Sequence, residues 1–315
     1  MPLYLHEHKE FADLIRIIEG ESGIDAALIE KDYYIMHALH GLSAQGFDFK
    51  LKGGTSLSKG YRIIDRFSED IDIYITPPDH LDVNINPKSN KTAAVESRKG
   101  FYDWLASAID IDGLKAERDQ AYDDIHSYRS GGIRLYYEPR FPNIVGVKEG
   151  ILLEAGFSKI TPNQRVNISS WAYDKAITAK VKIEDNRAKQ IACYHPGYTF
   201  VEKLQTIATK FRQELEDGVE RPNYMRQYYD IYRLLESREV LDFIGTDEYL
   251  AHKEHHFPKA DFVIPVYKNP AFLLTDKAMR NRFKQRYQST AALYYKGQPD
   301  FDQVMERIRQ FVTRL

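Results

Sequence analysis

A mixed α+β fold follows from three features of this 315-residue chain. Asp70–Ile75 and Ser130–Tyr137 alternate in character with a period of two, which argues for strands. Beyond about residue 196, apolar residues recur at helical spacing instead. The order of elements is irregular, so the expectation is one mixed sheet with helices packed on it rather than a regular β-α-β winding.

The elements follow in order. Phe11, Leu14, Ile15 and Ile18 recur at helical spacing, and residues 9–45 read as a helical lead-in with a second helix over Ile29–Leu42. Residues 48–76 read as strand, glycine turn, helix start and returning strand, ended by Pro77-Pro78. Residues 79–95 are polar and turn-rich and read as an exposed loop. A helix is expected from about Glu96 to Ala108, then strands near 113–121, 126–138 and 145–157. Val201, Leu204, Ala208 and Phe211 open a helical half that continues through 228–235, 240–252, 271–295 and 301–315. The division is therefore a lead-in (1–45), a core (46–200) and a helical C-terminal domain (201–315).

Composition narrows the class. A net charge of −2 does not announce a nucleic-acid binder. One cysteine, Cys193, excludes an intrachain disulfide and a cysteine-rich zinc site. It suits a reducing cytoplasm, and its expected role is that of a small buried hydrophobe. The N-terminal MPLYLHEHKEF lacks the apolar core of a signal peptide. No run of 18 apolar residues is present, so no membrane span is expected. Most of the 22 tyrosines read as packing residues, a few as platforms for bases.

The chemistry concentrates in Lys52–Ile75, KGGTSLSKGYRIIDRFSEDIDIYI. Alternation puts Asp70 and Asp72 on one strand face, with Cα atoms roughly 6–7 Å apart. Two such carboxylates repel unless a cation lies between them. Mg²⁺, with Mn²⁺ able to replace it, binds one or two carboxylates together with substrate phosphates. Gly53 and Gly54 let backbone approach a phosphate. Thr55 or Ser56 is expected to cap the helix that follows, whose N-terminus favours anions. The pattern is not a Walker A loop, because Gly60 follows Lys59 where Ser or Thr is needed.

Other candidates stand further along. Glu154, inside the apolar run Ile151–Ala155, is a third carboxylate for a two-ion site if its strand lies beside Asp70–Asp72. Lys203 sits one residue off the apolar stripe of its helix; taken alone it reads as solvated. Arg226 and Asp230 are i,i+4 partners, and alone they read as a modest surface ion pair. His252, His255 and His256 do not read as a metal cluster, since neither a carboxylate geometry nor an H-E-x-x-H pattern accompanies them.

The segment GGTSLSKGYRIIDRFSEDIDI resembles the first motif of the AbiEii/AbiGii-type nucleotidyltransferase toxins, which have the polymerase-beta-like nucleotidyltransferase fold. Glu30-Lys31-Asp32-Tyr33-Tyr34, Glu202-Lys203-Leu204 and Arg226–Tyr232 match further family patterns, so the resemblance spans roughly 29–235. It implies an enzyme that moves an NMP from an NTP to an acceptor hydroxyl with Mg²⁺. Gly53, Gly54, Thr55 and Ser56 would bind the nucleotide, and Asp70 and Asp72 the metal. Arg66 and Ser68 would orient the aspartates or touch the nucleotide. Lys203 would hold the triphosphate, and Asp230 would be the essential acid of the last motif, so the helical C-terminal domain would contribute to the active-site cleft. The resemblance also implies a toxin with a cognate antitoxin in a toxin–antitoxin or phage-defence operon. MenT-type relatives point to the 3′ end of tRNA as acceptor. The alternatives are a protein-modifying, AMPylation-like transferase and a non-catalytic nucleotide- or RNA-binding module.

Overall fold

The computed structural model describes residues 2–144, 146–157, 162–221 and 224–315. These divide into two units, Met1–Gly60 with Ser68–Tyr194, and Tyr61–Phe67 with His195–Leu315.

The first unit is built on a seven-stranded mixed sheet. Its strands are β1 (Phe49–Lys52), β2 (Asp70–Ile75), β3 (Lys115–Arg118), β4 (Ser130–Tyr136), β5 (Ile151–Gly156), β6 (Asn163–Ile168) and β7 (Ala188–Tyr194). Their spatial order is β3-β4-β5-β2-β1-β7-β6. β2 lies centrally, antiparallel to β1 and parallel to β5. Both aspartates therefore start from a strand locked on two sides.

The helices of this unit are α1 (Phe11–Ser22), α2 (Ala26–Ala44), the single turn α3 (Gly53–Thr55), α4 (Thr92–Ala108) and α5 (Trp171–Thr178). Asp25 caps α2 by accepting from the Ala27 N–H at 2.8 Å. Most of α2 is buried, including Glu30, Lys31, Asp32 and His37. Such polar groups need internal partners, and each has one: Glu30 accepts from Arg140 N–H, Lys31 donates to the Lys148 carbonyl, Asp32 takes Lys59, and His37 meets the Asp112 carbonyl.

Two expectations need correction here, and the span 163–194, where the sequence pattern names no element, carries β6, α5 and β7. NQRVNI has little alternation, so only pairing with β7 makes it a strand. Residues 79–95 begin with a 3₁₀ turn, and helix α4 already starts at Thr92. Neither Thr55 nor Ser56 is a helix N-cap. Gly53 turns the chain at φ +69°, so the helical turn begins there, with Lys52 before it and no side-chain cap. The turn continues as a π-helical turn over Ser56–Gly60.

The second unit is helical: α6 (Pro196–Asp217), α7 (Arg226–Leu234), α8 (Arg238–Phe243), α9 (Asp247–His256), α10 (Lys259–Phe262), α11 (Pro270–Leu273), α12 (Lys277–Gln288) and α13 (Phe301–Phe311). α6 starts on a proline at its first turn, where the missing N–H costs nothing, and ends at Gly218 in the left-handed conformation. Its stripe of Val201, Leu204, Ala208 and Phe211 is buried, as expected. The single helix expected over 240–252 is two, parted at Gly245 with φ +90°. No helix among the described residues is long and apolar enough to cross a membrane.

Candidate active site

In the first unit the sheet register assembles three carboxylates. Asp70 and Asp72 share a face of β2 because side chains alternate along a strand. On β5, Glu154 stands directly opposite Asp72, and Leu152 opposite Asp70. Adjacent strands lie about 4.8 Å apart, so Glu154 joins the acidic face.

The glycine turn fits against this face. A methyl group added to Gly53 would strike the Asp72 carboxylate, and φ at Gly53 is +69°. Only glycine meets both demands. Thr55 Oγ1 donates to the Asp70 carbonyl, which ties the turn to the start of β2. Ser56 Oγ donates back to the Gly53 carbonyl at 2.9 Å and closes the turn on itself. Gly54, Thr55 and Ser56 are buried, and Ser68 is half-buried.

Lysines surround the acids, and sequence reading missed most of them. Lys148 Nζ lies 2.7 Å from Asp70 Oδ2 and 4.8 Å from the centre of the Tyr122 ring. Burial works against its charge, but Asp70 beside it holds its pKa above the usual lysine value. Its own N–H donates to Glu69 at 2.9 Å, and its carbonyl accepts from Lys31 Nζ at 2.6 Å. Burial lowers the Lys31 pKa to about 8, with Glu69 opposing the shift. Asp32 is wholly buried; it accepts from the Trp171 N–H at 3.0 Å and pairs with Lys59. The Glu30-Lys31-Asp32 motif is thus a strut: it braces Lys148 and the helical turn of Lys59 rather than presenting groups to a substrate.

These residues fit a hard divalent cation. Three carboxylates share one face. Asp70 Oδ1 is buried and meets no hydrogen-bond donor among the described residues. The Lys148 ammonium already supplies positive charge at the other oxygen.

The remaining predicted residues form a cluster of their own, inside the second unit. Asp230, on α7, is fully buried. Arg66 Nε and one terminal nitrogen grip its two oxygens at 2.7 and 2.6 Å. Lys203 Nζ, from α6, lies 2.6 Å from Oδ2 and 3.0 Å from Gln227 Oε1. Burial alone would raise the Asp230 pKa, but Arg66 and Lys203 outweigh it and bring it to about 2. The same pairing holds Arg66 above its usual value despite burial. Two readings are corrected. Lys203 is buried, because the partner that offsets its charge, Asp230, comes from another helix. Asp230 is no surface group, because Arg66 closes over it. The aspartate that Arg66 orients is Asp230.

Cys193 is buried on β7, and burial pushes its thiol pKa up to about 12, as suits a packing residue.

The family model described as nucleotidyl transferase AbiEii toxin, type IV toxin–antitoxin system, matches residues 37–307. No curated protein matches the chain. The match covers most of the chain, including both clusters. The chain belongs to the AbiEii family of nucleotidyl transferase toxins, enzymes of type IV toxin–antitoxin systems.

Proposed function

We propose that this nucleotidyltransferase moves an NMP from an NTP to the 3′-terminal hydroxyl of tRNA, with Mg²⁺ held by Asp70, Asp72 and Glu154. The observation that carries the reading is the register of β2 and β5, which sets Glu154 opposite Asp72. When bound, Mg²⁺ would lower the pKa of the attacking hydroxyl and offset charge on the departing pyrophosphate. The rest falls to the chain. The turn at Gly53–Gly54 brings backbone N–H groups to the phosphates without a side chain in the way. Lys148, 2.7 Å from Asp70 Oδ2, holds that carboxylate aimed and would give way to a bound cation.

Lys203 takes the role that the family resemblance implies, holding the triphosphate. Asp230 acts as a positioning residue. Both of its oxygens are engaged, and a carboxyl with a pKa of about 2 is a poor proton acceptor at neutral pH. It holds Lys203 and Arg66 in place.

The type IV family implies an antitoxin partner. The tRNA acceptor rests on resemblance to MenT-type enzymes. The test is to incubate the purified chain with each α-labelled NTP and Mg²⁺, adding either total RNA or protein lysate. Label in a tRNA band, absent with Asp72→Ala, is the expected result. Label in protein alone would replace tRNA by an AMPylation-like reaction. No label in either fraction with any NTP would favour a non-catalytic binding module.

A further inference from the structure

The second unit holds another set of metal-ligating side chains. On α9, His252 and His256 are separated by one helical turn and project from one side. Their rings lie 18° from parallel with centroids 5.3 Å apart. α6 packs against α9 and contributes Glu202. One carboxylate oxygen and one nitrogen from each ring all lie within 4.8 Å of one another. The carboxylate that the sequence reading did not find beside these histidines comes from a helix fifty residues earlier. His255, exposed on another side of α9, takes no part.

We propose that Glu202, His252 and His256 form a binding site for a borderline divalent cation of the Zn²⁺ type, independent of the nucleotide site. Two imidazole nitrogens and one carboxylate, with a fourth position left to water, are a known zinc donor set. Nitrogen donors also select against Mg²⁺, which takes oxygen. Zinc bonds of about 2.0–2.1 Å place tetrahedral ligands about 3.4 Å apart. The present spacing closes to that value through side-chain rotation of Glu202 and His256, both half-buried. His252 is the fixed point: it is buried, with the Tyr198 ring 4.8 Å away in an edge-to-face contact. The bound ion would tie α9 to α6 at the residue preceding Lys203. The site therefore joins the Glu202-Lys203-Leu204 motif to a helix that no catalytic argument uses.

The test uses the full chain, stripped with a chelator and titrated with Zn²⁺ while excess Mg²⁺ occupies the oxygen-rich site. Calorimetry and elemental analysis after dialysis give affinity and stoichiometry. The expected result is one Zn²⁺ per chain for wild type and for His255→Ala. His256→Ala and Glu202→Gln should weaken binding at least about tenfold, since loss of even an outer-shell partner costs that much. Co²⁺ should give the visible absorption of a four-coordinate site in wild type, lost in His256→Ala. Both variants change half-buried side chains, and circular dichroism checks that they fold. Wild type that retains no Zn²⁺ would overturn the proposal. So would equal affinity in wild type, His256→Ala and Glu202→Gln, which would leave the three residues as a hydrogen-bonded surface group. None of these outcomes depends on nucleotidyl transfer, because binding and absorption are read without turnover.

Discussion

Asp230 is buried between Arg66 and Lys203, and the proposed function gives it a positioning role. Its charge balances two buried cations, so its removal leaves Arg66 and Lys203 uncompensated. Breaking a buried pair in this way costs about 3–5 kcal/mol. Asp230→Ala is therefore expected to lose stability on that scale, measured by urea denaturation, and any activity loss must be read on the folded fraction. An unfolding midpoint equal to wild type would contradict the buried-pair account. Gly53 makes the opposite prediction. Gly53→Ala forces a left-handed alanine, at a cost of about 1–2 kcal/mol, and pushes aside the Asp72 carboxylate. Activity should fall by far more than stability; a variant as active as wild type would place Asp72 outside the reaction. Asp70 and Asp72 were legible in the sequence because alternation is local. Glu154 became a member of the acidic face only through sheet register. Lys148 was not legible at all, since its link to Asp70 spans 78 residues of chain.

Elements were legible where one face is apolar and the period is long. α1, α2, α4 and α6 announce themselves by their stripes or apolar runs. β6 and β7 do not, because their pairing with each other, rather than their composition, makes them strands. α2 is buried on nearly all sides, and this gives it a pH liability. His37 Nδ1 lies 2.8 Å from the Asn186 amide nitrogen and Nε2 lies 2.8 Å from the Asp112 carbonyl. The neutral ring satisfies both by accepting at Nδ1 and donating at Nε2. A second proton would face the amide N–H, and burial lowers the His37 pKa to about 4. His6, 4.8 Å away ring to ring, is shifted in the same direction, chiefly by burial. The folded pKa of His37 is below the unfolded value of 6.5. Its contribution is thus present above pH 6.5 and lost as pH falls through about 4, at up to about 1.4 kcal/mol per pH unit. Thermal unfolding followed from pH 7 to 4.5 should show a falling melting temperature, with a shallower slope in His37→Gln. An unchanged slope would mean that His37 is not the titrating group.

At the scale of the whole molecule, the chain builds a sheet unit that carries the acids and the glycine turn, and a helical unit that carries the Arg66–Asp230–Lys203 cluster. Residues 61–67 belong with the second unit although they lie inside the first motif. That exchange brings Arg66 to Asp230, and spacing alone does not reveal it, because 164 residues separate the two. The family patterns, by contrast, were legible as short local strings, and their residues fall into both clusters. The proposed function requires the acidic face of β2 and β5 to perform metal-dependent nucleotidyl transfer. Its most direct measurement is incorporation of label from an α-labelled NTP into acceptor by wild type and Asp70→Asn, with both proteins shown to be folded by circular dichroism. Asp70→Asn preserves shape while removing a ligand charge. The account predicts Mg²⁺-dependent labelling by wild type and a loss of at least about a thousandfold in the variant, the scale of about 4 kcal/mol of lost transition-state stabilisation. A folded Asp70→Asn protein that labels acceptor within tenfold of wild type would contradict it.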